Sequence, residues 1–295
     1  MVRAVRVHDY SLELTMYPSF TYTLYKVEDS VYTKVFGVNI GFKMWQDKNL
    51  LYYNGDYEFL ELASGLWYDP YSKASKIPRS YRSRVGRLLD VYSKVRLAIN
   101  PYDTIHMFIS IFLSRRTDFH VNVVRWCKKI FQTIDTYGVR SVDVKSIGGN
   151  YQLLQLSKVI SLGFLDNLED LKVKPNPWIF RSKMLKIPYV GPKTVHAYIL
   201  FTSKHSQFAP TDVHMLRINK LLGIVDANET PNSKYCIRYT CFDCPLLQKC
   251  VTGSLITCYD ELAGWIQTIA YVHDSLYCLK SRCFECPLRS ECYKP

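Results

Sequence analysis

The sequence predicts an α+β protein in which an antiparallel β-rich N-terminal domain precedes a mainly α-helical body with C-terminal four-cysteine loops. Three observations support this fold class. Aromatic and β-branched residues are abundant between about residues 12 and 62, where turn-forming residues recur. Beyond residue 100, apolar residues recur at three- and four-residue spacing, which is typical of helices. Near the C-terminus, one spacing of four cysteines occurs twice.

The composition is that of a basic, globular chain. The 295 residues include 38 Lys and Arg against 26 Asp and Glu, a formal charge of +12, and 48% are hydrophobic. These values exclude collagen-like and wholly disordered chains, and the charge favours a polyanionic partner. No apolar run is long enough for a membrane span, and the first residues lack the apolar core of a signal peptide. We expect a monomeric intracellular protein without a membrane partner, cytoplasmic and nucleoid-associated in a prokaryote or nuclear in a eukaryote.

The N-terminal domain is predicted to span residues 1–75. Residues 20–25 alternate between apolar and polar side chains as a strand does, and turn signals follow before residue 57. Between Asp69 and Asp90 the chain contains six bases and no acid, a change of composition that places the domain boundary near residue 75.

The helical body is predicted to cover residues 76–230 and 255–277, with an inserted cysteine motif at 231–254 and a cysteine loop at 278–295. Apolar periodicity predicts helices over three segments of this body: Asp103 to Leu113, Phe119 to Ile134 and Tyr151 to Leu162.

A tight Pro/Gly turn lies between Leu185 and Ala197, and a helix restarts after it. Such a turn directs backbone N–H groups at a helix N-terminus toward solvent, where a phosphate can bind. From Leu171 to Thr211 there are seven Lys or Arg and no acid, which is a positive field suited to a polyanion. The alternative is an ordinary solvated helix pair joined by a glycine turn.

The next helix begins near Asp212. Thr211 or Asp212 is placed to cap a helix that Gly223 ends, and capping alone would explain the aspartate. However, a lysine opens the preceding helix at Lys193, 19 residues earlier. The two side chains are therefore candidates to face one cleft.

These two segments resemble a known family. Ile187 to Ala197 is similar to the helix-hairpin-helix, and Pro210 to Arg217 to the Gly/Pro-Asp segment, of the helix-hairpin-helix DNA glycosylase superfamily that includes endonuclease III. The resemblance implies that Lys193 is the nucleophile of a bifunctional glycosylase and lyase and Asp212 the essential aspartate. It also implies that residues of the hairpin bind DNA, namely Tyr189, Gly191 and Thr194.

The chemistry explains both residue types. A neutral amine can attack C1′ of a damaged nucleotide, expel the base and form a Schiff base. A carboxylate beside the sugar can stabilise positive charge as the glycosidic bond breaks and can help to activate the amine.

A third segment resembles the base-recognition helix of the eukaryotic-type 8-oxoguanine DNA glycosylases. It is the string Ala263-Gly264-Trp265-x-Gln267-x-x-x-Tyr271. In that family the glutamine meets the edge of the flipped base and the aromatic residue stacks on its face. Their four-residue spacing places Gln267 and Tyr271 on one helical face. By the same resemblance His214 contacts a DNA phosphate, whereas the alternative for Gln267 and Tyr271 is an ordinary interfacial role.

The chain departs from this subfamily at several positions. Tyr17-Pro18 stands where the family has Gly-Gln, whose backbone detects the extra N7 proton of 8-oxoguanine, and Ala197 stands where the family has cysteine. The loop Ser114 to Asp118 is closer to that of endonuclease III. Either Arg115 or Arg116 would fill the gap left by a flipped base, or both would contact phosphates.

The cysteines form two sets with the spacing C-x4-C-x2-C-x5-C. The upstream set is Cys236, Cys241, Cys244 and Cys250, and the downstream set is Cys278, Cys283, Cys286 and Cys292. Four thiolates can hold a [4Fe–4S] cluster or a zinc ion, and disulfides are disfavoured inside cells. The downstream set matches the position of the [4Fe–4S] cluster in endonuclease III, except that the first spacing there is x6. We expect a [4Fe–4S] cluster at the downstream set and a second cluster or zinc at the upstream set, which has no counterpart in the family.

Together these features predict a bifunctional DNA glycosylase and AP lyase of base excision repair that excises an oxidised purine, 8-oxoguanine above all, from duplex DNA. Two alternatives stay open. One is a glycosylase without lyase activity for an alkylated purine or an oxidised pyrimidine. The other is a non-catalytic iron–sulfur DNA-binding module, which would explain the charge and the cysteines but not the pairing of Lys193 with Asp212.

Overall fold

The computed structural model describes residues 1–166, 171–173 and 175–292. Lys174 of the basic segment and the last three residues of the C-terminal cysteine loop, 293–295, lie outside the described residues. The architecture is α+β, as the sequence predicts, with a sheet formed near the N-terminus and a mainly helical body.

The described residues form a five-stranded antiparallel sheet in the order β1-β5-β4-β3-β2. The strands are β1 (Val2–Arg6), β2 (Tyr25–Glu28), β3 (Val31–Lys34), β4 (Lys43–Asp47) and β5 (Leu50–Asn54). The turn between β2 and β3 places both Asp29 and Ser30 at positive φ. That backbone geometry matches the twist of the two strands that it joins.

The predicted strand at residues 20–25 is wrong for most of its length. Phe20–Leu24 is a 3-10 helix, and the strand begins only at Tyr25. The Ser19 hydroxyl explains the difference, because it accepts a hydrogen bond from the Thr21 N–H and donates one to the Ala98 carbonyl. This local capping competes with strand pairing.

The helices occupy most of the chain after the sheet. Helix α1 (Leu12–Met16) precedes β2, and α2 to α7 follow the sheet as Tyr57–Ala63, Pro70–Ser75, Arg79–Tyr92, Thr104–Leu113, Val124–Tyr137 and Tyr151–Ser161. Helices α8 to α13 are Pro177–Met184, Pro192–Thr202, Val213–Leu222, Ser233–Cys236, Val251–Tyr259 and Ala263–His273. None of the helices in the described part of the chain is long and apolar enough to cross a bilayer.

One hydrophobic core joins the sheet to the helical body. It includes Met44 and Leu51 of the sheet and Trp265 and Ile269 of α13. Gly264 allows α13 to approach the helix that carries Lys193, because a Cβ there would lie 2.5 Å from Leu200 Cδ1 and 2.5 Å from the Ser206 carbonyl oxygen. The Gly264 N–H donates to that same carbonyl over 2.9 Å.

A buried ion pair also connects the two parts. Lys34 Nζ lies 2.7 Å from Asp103 Oδ2, and the side chains are 0% and 2% exposed. Asp103 also accepts hydrogen bonds from Asn100 Nδ2 and from the Val38 N–H, both at 2.7 Å. The sheet is thereby fixed to the start of α5, which is where the helical body begins to line the candidate site.

We expect Lys34→Met to lower the free energy of unfolding by about 3 kcal/mol, because it leaves a buried carboxylate without its cation. Urea denaturation measures this loss. The matched control is Lys26→Met, since Lys26 pairs with Glu28 on the surface with both side chains more than half exposed. Such a pair contributes less than about 1 kcal/mol, so equal losses in the two variants would contradict the prediction.

Candidate active site

The turn between α8 and α9 presents a helix N-terminus to solvent. Tyr189 has a φ of 65° and a half-exposed side chain, and Pro192 occupies the first turn of α9. Gly191 caps α9 with extended backbone, and nothing lies within 4 Å of where its Cβ would stand. Thr194 is only 4% exposed, so its side chain is directed into the protein and not toward a ligand. A ligand at this turn would therefore contact the backbone, as a phosphate bound at a helix N-terminus does.

Lys193 and Asp212 meet across one cleft. Lys193 Nζ lies 3.8 Å from Asp212 Oδ2, and the side chains are 39% and 13% exposed. Asp212 caps α10 as expected: its Oδ1 accepts hydrogen bonds from the His214 and Met215 N–H groups at 3.1 and 3.0 Å. Gly223 ends the helix in the left-handed conformation. One carboxylate oxygen thus holds the helix, and the other faces the amine.

A cavity of about 510 Å³ opens beside this pair. Its volume is in the range of small-molecule sites. One wall is formed by helical residues, which are Lys193, Ala197, Asp212, His214, Gln267 and Tyr271. The opposite wall comes from the N-terminal region and the loop after α5, with Tyr17, Pro18, Phe20, Asp118 and His120.

Gln267 lines the cavity, and one of its polar atoms has no hydrogen-bond partner among the described residues. Its Nε2 donates to Asp212 Oδ1 over 3.1 Å. Gln267 is only 3% exposed. Its Oε1 is buried and has no hydrogen-bond partner among the described residues. A buried acceptor without a donor is costly unless a ligand supplies the donor.

Two tyrosine rings face each other across the cavity. The Tyr17 and Tyr271 ring centroids are 6.0 Å apart with a tilt of 34°, and Tyr17 also stacks on His120 at 4.6 Å. Two stacked layers need about 7 Å, so a flat ring would enter between the tyrosines if they separated by about 1 Å. Sequence reasoning identified Tyr271 but not Tyr17 or His120. The departure from Gly-Gln at Tyr17-Pro18 was the available signal for Tyr17.

His120 adds a second unsatisfied nitrogen to this wall. Its Nε2 is buried and has no partner among the residues that the structure describes. Burial lowers the pKa of His120, against the opposing effects of Asp118 and the Tyr17 backbone. The ring is therefore neutral at physiological pH.

A carboxylate that sequence reasoning missed orients His214. Asp274, whose side chain is fully buried, accepts a hydrogen bond from His214 Nδ1 over 2.6 Å and another from Arg217. Burial raises the pKa of Asp274, but the hydrogen bonds from His214 and Arg217 outweigh burial and hold it below its usual value. His214 Nε2 is the nitrogen left for a ligand. The sequence feature that could have identified this carboxylate is its spacing, because Asp274 follows Tyr271 by three residues and so lies on the same helical face.

The two arginines of the loop after α5 differ in their surroundings. Arg115 donates to the carbonyls of Phe112 and Tyr189 at 2.8 and 2.7 Å and to Gln155 Oε1 at 2.8 Å. Burial lowers the pKa of this guanidinium. Arg116 is exposed at the tip of the loop, with a φ of 50°. Arg115 therefore ties α5 to the hairpin, and Arg116 is the one directed to solvent.

Each set of four cysteines lines a single cavity, of about 20 Å³ for the upstream set and about 280 Å³ for the downstream set. Burial raises the pKa of Cys241 to about 12, against the opposing effect of Arg181. Burial and the charge of Asp274, with the neighbouring sulfurs, raise the pKa of Cys278 to about 11. Among residues 1–166, 171–173 and 175–292, no three His, Cys, Asp or Glu side chains are already arranged around one metal ion. The donor chemistry of both sets fits zinc or a [4Fe–4S] cluster.

No protein-family model matches the chain, and no curated protein is significantly similar to it in sequence. Solved structures do match its fold. An 8-oxoguanine glycosylase/lyase from Clostridium acetobutylicum, in complex with double-stranded DNA containing cytosine opposite 8-oxoguanine, has a TM-score of 0.65 at 14% identity over 94% of this chain and 98% of that one. Its apo form has a TM-score of 0.63 at 12% identity over 92% and 98%.

A structure of MBOgg1 with a low-affinity DNA ligand matches with a TM-score of 0.61 at 14% identity, over 92% of this chain and 94% of that one. These similarities extend over nearly the whole chain. They show the fold of an 8-oxoguanine glycosylase.

Proposed function

We propose that the protein is a bifunctional DNA glycosylase and AP lyase of base excision repair that removes an oxidised purine, 8-oxoguanine above all, from duplex DNA. The pairing of Lys193 with Asp212 beside a cavity that ends at an unsatisfied Gln267 oxygen carries this proposal. The fold shared with 8-oxoguanine glycosylase/lyase structures supports it.

In the proposed reaction the damaged nucleotide leaves the base stack and enters the cavity. Gln267 Oε1 accepts a hydrogen bond from the edge of the purine, while Tyr271 and Tyr17 stack on its faces. Lys193 Nζ attacks C1′, the glycosidic bond breaks, and the base leaves with a proton. Asp212 stabilises the positive charge that develops on the sugar. The resulting aminal opens at its C1′–O4′ bond, with the proton of the amine passing to O4′, and becomes an imine. The imine then loses a proton from C2′ and expels the 3′ phosphate, which cleaves the strand.

The cofactors remain part of this proposal. The downstream set, Cys278, Cys283, Cys286 and Cys292, would hold a [4Fe–4S] cluster, with zinc as the alternative. Such a centre would fix the loop that carries Lys280, Arg282 and Arg289, bases suited to the DNA backbone. Its contribution is the folding of this loop and not a step of the reaction.

Borohydride trapping tests the proposal. Purified protein is incubated with a duplex that carries 8-oxoguanine opposite cytosine, with borohydride present, beside an undamaged duplex of the same sequence. We expect release of the base and a covalent adduct on the damaged duplex only. Base release without an adduct would indicate a glycosylase without lyase activity. If the protein neither releases a base nor forms an adduct with 8-oxoguanine, an alkylated purine or an oxidised pyrimidine, the result would favour the non-catalytic DNA-binding module.

The tyrosine pair favours one alternative substrate specifically. Two electron-rich rings 6.0 Å apart also suit an alkylated purine that carries a positive charge, through cation–π interactions. A duplex with 7-methylguanine in the same sequence compares the two directly. Faster release of 7-methylguanine than of 8-oxoguanine would favour this second function.

We expect Arg116→Ala to weaken binding to duplex DNA and to reduce the slope of log affinity against log salt by about 1, with stability unchanged, because an exposed side chain loses one phosphate contact. Arg115→Ala is the matched variant. It loses three hydrogen bonds inside the protein, so we expect it to lower the free energy of unfolding by about 2 kcal/mol. Salt titrations of binding and urea denaturation check both, and a reversed pattern would contradict the assignment.

A further inference from the structure

Helix α8 buries an arginine beside the upstream cysteines. Arg181 is only 1% exposed. Its Nε donates to His196 Nε2 over 3.0 Å, and one of its terminal nitrogens donates to the Tyr239 carbonyl over 2.9 Å. The Trp178 ring lies 5.4 Å from the guanidinium carbon. All of these partners are neutral, and within the described ranges no Asp or Glu forms an ion pair with Arg181.

A buried guanidinium without a counter-charge is costly. Arginine stays protonated in proteins, so it cannot escape the penalty by losing its proton. Hydrogen bonds to a carbonyl and an imidazole engage two of its five N–H groups, and no carboxylate among the described residues compensates the charge. The surroundings of Arg181 therefore call for an anion.

The upstream cysteines are the groups placed to supply that anion. Arg181 lines the same cavity as Cys236, Cys241, Cys244 and Cys250. Its positive charge favours the ionised forms of Cys236, Cys241 and Cys250, against the larger opposing effect of burial on the pKa of these thiols. As thiols these groups are neutral. Four thiolates around Zn²⁺ form a dianion, and so do four thiolates around a [4Fe–4S]²⁺ core.

We infer that Cys236, Cys241, Cys244 and Cys250 bind a metal as an anionic tetrathiolate centre and that Arg181 is its buried counter-ion. The four thiols release their protons to solvent as the metal binds. Zinc and a [4Fe–4S] cluster share this charge and this donor set. The inference does not depend on the proposed glycosylase activity.

This centre is connected to both residues of the candidate active site. His196, the partner of Arg181, lies on α9 one turn after Lys193. On the other side, α12 begins directly after Cys250, and its Thr252 hydroxyl donates to the Thr211 hydroxyl over 2.6 Å, immediately before Asp212. The metal centre would thus fix the segments that carry the amine and the carboxylate.

Metal analysis of purified variants tests the assignment. The upstream double variant Cys241→Ser/Cys244→Ser is compared with the downstream double variant Cys283→Ser/Cys286→Ser, and with Cys258→Ser, which lies outside both sets. All are purified without oxygen, and zinc, iron and acid-labile sulfide are counted per chain. We expect the upstream variant to lose one centre that the downstream variant and Cys258→Ser retain. Zinc lost alone identifies a zinc site, and iron lost with sulfide identifies a cluster.

The upstream variant retaining the metal content of the wild type would overturn the inference. A second measurement tests the counter-ion independently. In wild-type protein, we expect loss of the upstream metal to lower Tm by roughly 5 °C or more, because the buried charge of Arg181 is then left without a counter-ion. In Arg181→Met, we expect loss of the upstream metal to lower Tm by a smaller amount. We also expect the affinity of the upstream cysteines for the metal to fall by about tenfold or more. Equal Tm losses with and without Arg181 would show that the charge is not paired with the centre.

Arg181→Lys keeps the result interpretable if Arg181→Met fails to fold. It retains the positive charge but not the planar geometry. We expect it to keep its metal, so a soluble Arg181→Lys protein without upstream metal would also contradict the inference.

Discussion

Lys193→Gln is expected to abolish the borohydride-trapped adduct and to lower the rate of base release by about 10³-fold or more, because an amide nitrogen cannot form an imine. The Lys193 side chain is 39% exposed, so we expect the substitution to leave Tm unchanged. Single-turnover excision on a duplex with 8-oxoguanine opposite cytosine measures the rate. Gel analysis of the trapped complex measures the adduct.

The control separates the nucleophile from the positive charge. Lys186→Gln removes a charge from the exposed start of the same turn without touching the cavity. We expect this variant to bind DNA more weakly but to retain trapping at saturating protein. An adduct that persists in Lys193→Gln would contradict our assignment. It would direct attention to Lys280, which also lines the cavity.

Asp212→Asn is expected to lower the rate of base release by about 10²- to 10³-fold while leaving stability nearly unchanged. Asparagine caps helices as well as aspartate does, so its side-chain oxygen can still accept from the His214 and Met215 N–H groups. The negative charge facing Lys193 is what the variant loses. Single-turnover excision and urea denaturation on the same preparation separate these two roles.

Asp212→Ala completes this comparison. It removes the charge and the cap, so it should lose activity and about 1 kcal/mol of stability as well. If Asp212→Asn excises the base as fast as the wild type, Asp212 serves only as a helix cap, which is the simpler interpretation of the sequence.

The structural features that the sequence predicts best are those that depend on residues close together along the chain. Asp212 and Gly223 bound α10 because a cap and a left-handed glycine are local signals. Helices α5 and α7 lie within one residue of their predicted starts and ends, since apolar residues recur along both at three- and four-residue spacing. The 3-10 helix Phe20–Leu24 was predicted as a strand because the competing hydrogen bond to Ala98 comes from 79 residues away.

Features that depend on distant partners could not be predicted in the same way. Strand β1 escaped prediction because its side chains are mostly exposed and carry no alternation of burial. Tyr17 meets Tyr271 from the other end of the chain, and no local pattern indicates that contact. The buried charge of Arg181 is equally invisible in sequence, where an arginine in a basic segment suggests an exposed one.

The close contact at Gly264 limits how the proposed active site can change. There is no room for even a methyl group between α13 and the segment around Ser206, so the helix bearing Gln267 packs directly against Leu200 of the helix bearing Lys193. We therefore expect the separation between Gln267 and Lys193, the proposed base-recognition and nucleophilic groups, to vary little. A bulkier lesion would have to be accommodated by trimming or moving side chains on the opposite wall, where Tyr17 and Phe20 stand. Engineering or natural divergence toward new lesions should accordingly accumulate in the N-terminal residues and spare the packed helices.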